Sequence, residues 1–359
     1  HPEFDHHDSI HFFEDPASGL RAIVAIHSTA LGPAAGGCRR WTYASDDLAL
    51  TDVLRLSRGM TYKNAVAGLP FGGGKSVILA REHAPKSEAL FEAFGRAIDS
   101  LQGRYITAED VGISVEDMRI VRGETPFVSG LPQSGAAAGG DPSPWTALGV
   151  FQGIEAAAAA RLGSESLEGV TVAVQGVGHV GVYLCKLLHE AGAKLLVADV
   201  NRENLVSLCE QVPAEVVSPR DILFSDADVL APCALGNVLN SETIPRIRAK
   251  IVAGAANNQL ASVEDGARLT DRGILYAPDY VINAGGVISV AYEYMGNSTE
   301  AKVRSEVCRI PQRLRHIFAD AESSAQPTNV VADELAQQIV AKGRQSKGAN
   351  QSTAGRRIA

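Results

Sequence analysis

Two lysines, Lys63 and Lys75, stand twelve positions apart, the second directly behind the run Gly72-Gly73-Gly74. The flanks are apolar, with Leu69-Pro70-Phe71 before and Ser76-Val77-Ile78-Leu79 after. Three successive glycines cost backbone entropy, so the run marks close approach by a ligand or by another stretch of backbone. A lysine held there beside a second cation has its ammonium form disfavoured, and its pKa is expected to fall toward neutrality. That suits it to proton transfer. On this stretch alone, a glycine turn ending in a solvated lysine is the plainer alternative.

A second signal is Gly176-Val177-Gly178-His179-Val180-Gly181, a G-x-G-x-x-G that follows an apolar strand and opens a helix. Its glycines allow a tight turn, close approach to a pyrophosphate and tight strand–helix packing, while the helix N-terminus stabilises negative charge. Asp199 ends the next predicted strand, 23 positions after Gly176, where a carboxylate binds a ribose 2′-hydroxyl and repels a 2′-phosphate. Dinucleotide binding, with NAD favoured over NADP, is the reading. Asp199 as a cap for the segment Asn201–Cys209 is the alternative, although Asn201 is itself a good cap. His179 reads as an exposed first-turn residue rather than a catalytic one.

The elements that must position these groups change rhythm along the chain. Strands are expected at Ser9–Phe13, Leu20–Ile26, Lys75–Leu79 and Tyr105–Thr107, with helices at Asp46–Arg58 and Lys86–Leu101. A Gly/Ser/Pro-rich stretch, Ser129 to Pro144, is the candidate hinge. Beyond it helix and strand alternate, as in a parallel sheet with crossover helices. The helices are Pro144–Arg161 and His179–Ala191. The strands are Val170–Gln175 and Lys194–Asp199, with further short apolar runs at Ala227–Leu230, Ile251–Val252 and Ile274–Tyr276. Helical stretches Glu300–Ala321 and Asn329–Ala341 follow, and the tail Gln345–Ala359 reads as disordered. The fold class is α/β with two domains. An N-terminal α/β domain, 1–138, is completed by the C-terminal helix 326–359, and a Rossmann-type doubly wound domain, 139–325, is set across a cleft. Closure of that cleft is expected to exclude water.

Composition bounds the rest. A chain of 359 residues suggests two cores rather than one, and 45% hydrophobic residues describe an ordinary globular protein. A net charge of −8 with no basic run before the tail argues against a nucleic-acid partner. No apolar stretch reaches the roughly 18 residues of a membrane span. The opening His1-Pro2-Glu3-Phe4 has neither a signal-peptide core nor a starting Met, so the sequence is read as beginning inside a longer one. Five scattered cysteines without a C-x-x-C pair fit a reducing cytoplasm, and no metal is expected.

Several long strings carry a resemblance. They are Gly59-Met60-Thr61-Tyr62-Lys63-Asn64-Ala65, Tyr105-Ile106-Thr107-Ala108-Glu109-Asp110-Val111-Gly112, Ala231-Pro232-Cys233-Ala234-Leu235-Gly236, Ala255-Ala256-Asn257-Asn258-Gln259-Leu260 and Tyr276-Ala277-Pro278-Asp279-Tyr280-Val281-Ile282-Asn283-Ala284-Gly285-Gly286-Val287. From Leu31-Gly32-Pro33-Ala34 to about Glu293 the chain resembles the glutamate, leucine, phenylalanine and valine dehydrogenases, the leucine branch above all. The resemblance implies NAD-dependent oxidative deamination of an L-amino acid to its 2-oxo acid with release of ammonia, in a homo-oligomer. It implies that Lys63 pairs with the substrate carboxylate, Lys75 activates water, and Asp110 exchanges protons at the amino group. The main chain at Gly36 and Gly37 is expected to border the substrate. Asn257, in preference to Asn258, is expected to hold substrate and nicotinamide, and Thr146 to meet the nicotinamide end. The motif residues with Asp199, Val200, Cys233, Ala234, Ala255, Ala256, Asn257 and Asn283 complete the implied cofactor set. Glu109 is expected to point away from Asp110 along an extended segment, and Asn257-Asn258 as a simple turn is the plainer alternative.

The same resemblance assigns the side-chain pocket to Ala35, Ala108, Val287 and Val290. Glutamate-specific members carry a lysine at the position of Ala35. An alanine leaves a γ-carboxylate unpaired, which excludes glutamate. Leucine-specific members carry leucine there, so Ala35 widens the pocket. Leucine, isoleucine and valine are the expected substrates, and phenylalanine is the alternative. A 2-hydroxy-acid dehydrogenase would use a His/Arg pair, and no such pair is set in a glycine-rich context here. An inactive NAD-binding relative would have lost the lysines or Asp110, and all three are present.

Overall fold

The structure, a computed structural model, describes residues 1–81, 85–131, 141–164, 166–296 and 299–355. The chain divides into two compact units. Unit 1 is His1–Gly140, Val290–Ser298 and Leu335–Ala359, and unit 2 is Asp141–Ser289 and Thr299–Glu334.

Unit 1 begins with an antiparallel hairpin, β1 (Ser9–Asp15) and β2 (Leu20–Ser28). Then come β3 (Ala34–Ala35), β4 (Cys38–Trp41), helix α1 (Asp46–Val66), β5 (Gly72–Leu79), α2 (Glu88–Asp99), β6 (Tyr105–Ile106) and α3 (Val115–Glu124). The sheet order is β1-β2-β5-β3-β6, with β4 also pairing β5. Strands β3 and β4 run parallel to the same neighbour, Ala35 opposite Gly73 and Cys38 opposite Ser76, and the pairing is interrupted at Gly36-Gly37. Both faces of the sheet are buried. Ile23, Ala25 and Val77 pack with Val53 and Leu54 of α1, while Ala22, Val24, Ile26 and Ile78 pack with Phe91, Phe94 and Met118 of α2 and α3. The two-residue period of a strand therefore puts Gly73, Lys75 and Val77 on the α1 face.

Unit 2 contains α4 (Ser143–Leu162), β7 (Thr171–Gln175), α5 (His179–Glu190), β8 (Lys194–Ala198), α6 (Arg202–Cys209), β9 (Glu215–Val216), β10 (Val229–Pro232), β11 (Ile251–Val252), α7 (Glu264–Asp271), β12 (Leu275–Tyr276) and α8 (Asp279–Ile282). Helix α9 (Gly285–Met295) begins in unit 2 and ends in unit 1. Next are α10 (Glu300–Val307), α11 (Ile310–Ser324) and α12 (Thr328–Gly355), the last also shared. The six strands are parallel in the order β12-β11-β10-β7-β8-β9. Strand order reverses between β7 and β10, the switch point outside whose carboxyl ends ligands gather.

Helix α1 runs past the expected Arg58 to Val66, carrying Lys63 in its last turn. Gly59 does not end it, because packing against β5 overrides a weak propensity. The expected helix Glu300–Ala321 is two helices, with Pro311 opening the second, since proline lacks the N–H that a helix interior needs. The tail read as disordered is instead helical to Gly355. Gln345 and Lys347 are good helix formers that carry α12 onward. Most of the expected hinge, residues 132–140, lies outside the described residues. Among the described residues no helix is long and apolar enough to cross a membrane, and no group of three or more His, Cys, Asp or Glu could hold a metal ion.

Candidate active site

One cluster of candidate residues is built on β5 and its neighbours in unit 1. Each glycine before Lys75 is there because protein backbone or ring lies where a side chain would begin. A Cβ on Gly72 would lie 1.9 Å from the Ser28 carbonyl oxygen, one on Gly73 2.0 Å from the Thr61 nitrogen of α1, and one on Gly74 2.7 Å from the Tyr105 ring. Gly36 would clash with the Gly74 carbonyl at 1.9 Å, and Gly37 with Glu109 O at 2.6 Å and Asp110 Cβ at 2.9 Å. The Tyr105 hydroxyl donates to Gly36 O at 2.6 Å and lies 3.0 Å from Ser76 Oγ, pinning the strand break. Burial pushes that phenol's pKa upward, so it stays a donor.

This packing places Lys75, 6% exposed, beside Asp110, with Nζ 2.8 Å from Oδ2. Burial drives the Asp110 carboxyl upward, but the charge and hydrogen bond of Lys75, then the Arg39 guanidinium, outweigh it and hold it below the usual carboxylate range. Asp110 is therefore ionised at neutral pH. Arg39 Nε reaches the same Oδ2 at 3.3 Å. Its Nη1 donates to Asp52 Oδ2 at 3.0 Å, and the Tyr43 hydroxyl donates to that oxygen at 2.5 Å. Neither Arg39, Asp52 nor Tyr43 figured in the sequence reading. The signal was an arginine two residues beyond Gly36-Gly37. Met60 was also missed, and its Cγ lies 3.2 Å from where a Gly36 Cβ would stand. Lys63 is half-buried on α1. Glu109 bridges Cys38 through its backbone. Ala35 pairs with Gly73 and Ile106, and the Ala108 methyl lies 3.9 Å from the position of a Gly130 Cβ. Val287 and Val290, three apart, share one face of α9.

A second cluster lies at the switch point of unit 2. Gly176 has φ +95°, and Gly181 packs so tightly that a Cβ would lie 2.1 Å from Gly176 O. Gly178, by contrast, has nothing within 4 Å. It caps α5 without a side-chain hydrogen bond, leaving the first-turn N–H groups for an anion. Asp199 accepts from Val177 N at 2.8 Å and Asn201 N at 2.7 Å, while Asn201 is the cap of α6. Cys233 N donates to Gln175 O at 2.7 Å, and Ala234 lies against Gly176. Asn258, at φ +52°, turns the chain, and the Asn257 amide oxygen accepts from Asn283 Nδ2 at 2.8 Å. Asn283 Nδ2 also donates to Ala255 O at 3.0 Å, whereas its buried Oδ1 has no protein partner. Thr146 Oγ1 donates to Pro142 O at 3.2 Å and borders Gly286. Val177, Val180, Val200 and Ala256 belong to the same loops and helix start. A side-chain-free glycine, uncapped helix N–H groups and an orphaned amide oxygen are what a dinucleotide would fill.

Comparison with known proteins accords with both clusters. The profile described as "Glu/Leu/Phe/Val dehydrogenase, dimerisation domain" matches residues 7–127, and that described as "Glutamate/Leucine/Phenylalanine/Valine dehydrogenase" matches 141–201 and 196–348. A leucine dehydrogenase of Geobacillus stearothermophilus is 50% identical over 342 residues, 95% of this chain and 92% of that protein. A valine dehydrogenase of Streptomyces albus is 46% identical over 96% of this chain and 95% of its own length. The crystal structure of L-tryptophan dehydrogenase from Nostoc punctiforme superposes with a TM-score of 0.83 at 44% identity, covering 94% of this chain and 97% of that one. With an N-terminal substrate-type unit, a parallel-sheet dinucleotide-type unit and this degree of identity, the chain belongs to the Glu/Leu/Phe/Val dehydrogenase family.

Proposed function

We propose that the protein is an NAD-dependent L-amino-acid dehydrogenase acting on branched-chain or other bulky apolar substrates, with leucine, isoleucine and valine foremost. The overall change is amino acid, water and NAD⁺ giving 2-oxo acid, ammonium and NADH with one proton released, and it is reversible. The observation that carries this reading is the ion pair at 2.8 Å between buried Lys75 and half-buried Asp110, set behind backbone that admits no side chain. Nicotinamide held by Thr146, Asn257 and Asn283 would supply the acceptor for the substrate's Cα hydrogen and its electron pair. The chain's own groups do the rest. Lys63 pairs with the α-carboxylate, leaving Lys75 for the reacting centre. Asp110, ionised, accepts a proton from the substrate ammonium so that the nitrogen lone pair can form the iminium. Lys75 then assists water in adding to that carbon, and Asp110 returns a proton to the departing amine. This requires the Lys75–Asp110 contact to loosen once substrate arrives. The Gly176–Gly181 turn is assigned to the pyrophosphate, Asp199 to the ribose, and Thr146, Asn257 and Asn283 to the nicotinamide end. A homo-oligomer is proposed from the dimerisation-domain match, and a reducing cytoplasm from five free cysteines.

Ala35 presents only a methyl group and no charge, which supports an apolar side-chain pocket. Its small size also favours a second reading, an aromatic amino acid such as phenylalanine, and a relative of 44% identity bears a tryptophan name. Steady-state rates with leucine, valine, phenylalanine, tryptophan and glutamate test both. Leucine or an aromatic amino acid should lead, and glutamate should be inert. Ala35→Leu should lower aromatic relative to leucine turnover by roughly 10- to 100-fold. A preference for glutamate, or full activity in Lys75→Ala, would overturn the reading.

A further inference from the structure

We propose that Arg39, seated by Asp52 and Tyr43, is the positioning residue for Asp110, holding its carboxylate in place when Lys75 turns to the substrate. The inference rests on the amino-acid dehydrogenase reading above. It begins from a doubling of cations: Lys75 at 2.8 Å and Arg39 at 3.3 Å both bind Asp110 Oδ2. Lysine is a point charge on a flexible stem, and its role at the reacting centre takes it away from that oxygen. Arginine is a rigid planar fork. Its far end is held by both Asp52 oxygens, at 3.3 and 3.0 Å, and Asp52 in turn accepts from Tyr43 at 2.5 Å. Arg39 itself sits on β4 in register with Val77 of β5, so its main chain is fixed by the sheet.

Asp52 lies on α1, the helix whose last turn carries Lys63. The guanidinium thus ties the helix bearing the carboxylate-binding lysine to the loop bearing the proton acceptor. The groups facing Asp110 are Lys75 from β5, Arg39 and the Cys38 thiol from β4, and the Tyr105 phenol from β6. Burial pushes the thiol up to about 12 and the phenol higher still, so neither supplies charge near neutrality. If Lys75 swings away, Arg39 still holds this half-buried carboxylate. Without Arg39, burial would raise the acid's pKa and leave less of it ionised to accept a proton from the substrate.

The test is the pH profile of leucine oxidation for Arg39→Met, Arg39→Lys and Asp52→Asn. Arg39→Met should lower kcat roughly 10- to 100-fold, the scale typical of outer partners of a functional group. It should leave KM for NAD⁺ unchanged and move the acid limb of kcat/KM upward by about one pH unit. Arg39→Lys should restore part of the rate, and Asp52→Asn should move the limb the same way by less. A purely structural arginine would lower the unfolding temperature without moving that limb, and such a result overturns the proposal. If Arg39→Met does not fold, the other two variants decide. If the wild-type chain oxidises no amino acid, the functional reading fails on its own. Infrared difference titration of the Asp110 carboxylate, against Asp110→Asn, then decides: an unchanged midpoint in the Arg39 variants refutes the positioning role, and a raised one supports it.

Discussion

Gly178 and Gly181 belong to one turn yet are glycines for different reasons. A Cβ at Gly181 would lie 2.1 Å from a backbone oxygen, whereas one at Gly178 would meet nothing within 4 Å. Gly181→Ala should therefore destabilise unit 2 by about 1–3 kcal/mol. Gly178→Ala should leave the ligand-free unfolding temperature unchanged and weaken NADH binding by about ten-fold or more, as a methyl pressed toward the pyrophosphate would. Fluorescence titration beside thermal unfolding reads both. An alanine at 178 that binds NADH like wild type would mean that the phosphates do not approach there. Of the proposed site residues, the dinucleotide turn, Asp199, both lysines and Asp110 stand out in the sequence, because short motifs and long shared strings announce them. The partner of Lys75 does not. The sequence reading placed Lys63 as the charge acting on it, while the structure sets Asp110 against it from 35 positions away. Only strand register decides that, and the same register hid Arg39.

At the scale of elements, β5 and α1 meet so closely that Thr61 occupies the space of a Gly73 side chain. The second half of α1 also meets a buried histidine pair. His7 Nε2 lies 3.0 Å from Ser57 Oγ, His27 Nδ1 lies 2.8 Å from Thr61 Oγ1, and the rings stand edge to face at 4.8 Å. Burial, then the charge of His7, lowers His27 to about 4, and Asp5 offsets only part of this. His7 is lowered as well, mainly by burial. The unfolded chain therefore binds these protons first as pH falls. Stability should decline from the ordinary histidine range, near 6.5, down to about 4, where His27 titrates in the folded chain. The loss should reach roughly 2–3 kcal/mol, and His27→Asn should flatten it in urea unfolding measured across that range. A curve of equal slope in the variant would show the acid sensitivity to lie elsewhere. Periodicity made most of the strands and α2, α4 and α5 legible. It misplaced the end of α1, which packing sustains beyond a glycine. It also ran α10 and α11 together across Pro311, and passed over α3, whose capping box of Ser114 and Asp117 was its one clear sign.

Across the whole molecule the assigned roles sort by unit. Lys63, Lys75, Asp110 and Gly36-Gly37 lie in unit 1, and the cofactor set from Thr146 to Asn283 lies in unit 2. Each unit has its own buried cluster, around Phe94 and Tyr105 in one and around Leu230 and Val252 in the other. NADH at 100 times its Kd should stabilise unit 2 by about 2.7 kcal/mol. Lys75→Ala should show the same gain in calorimetry despite losing turnover, and loss of that gain would refute the assignment. The polypeptide changes unit at 140/141, 289/290, 298/299 and 334/335. A protease nicking the backbone once after residue 140 would therefore release neither half, since two later segments of unit 1 remain on the downstream fragment. Grafting a foreign nucleotide module onto this scaffold would likewise need four splice points rather than one.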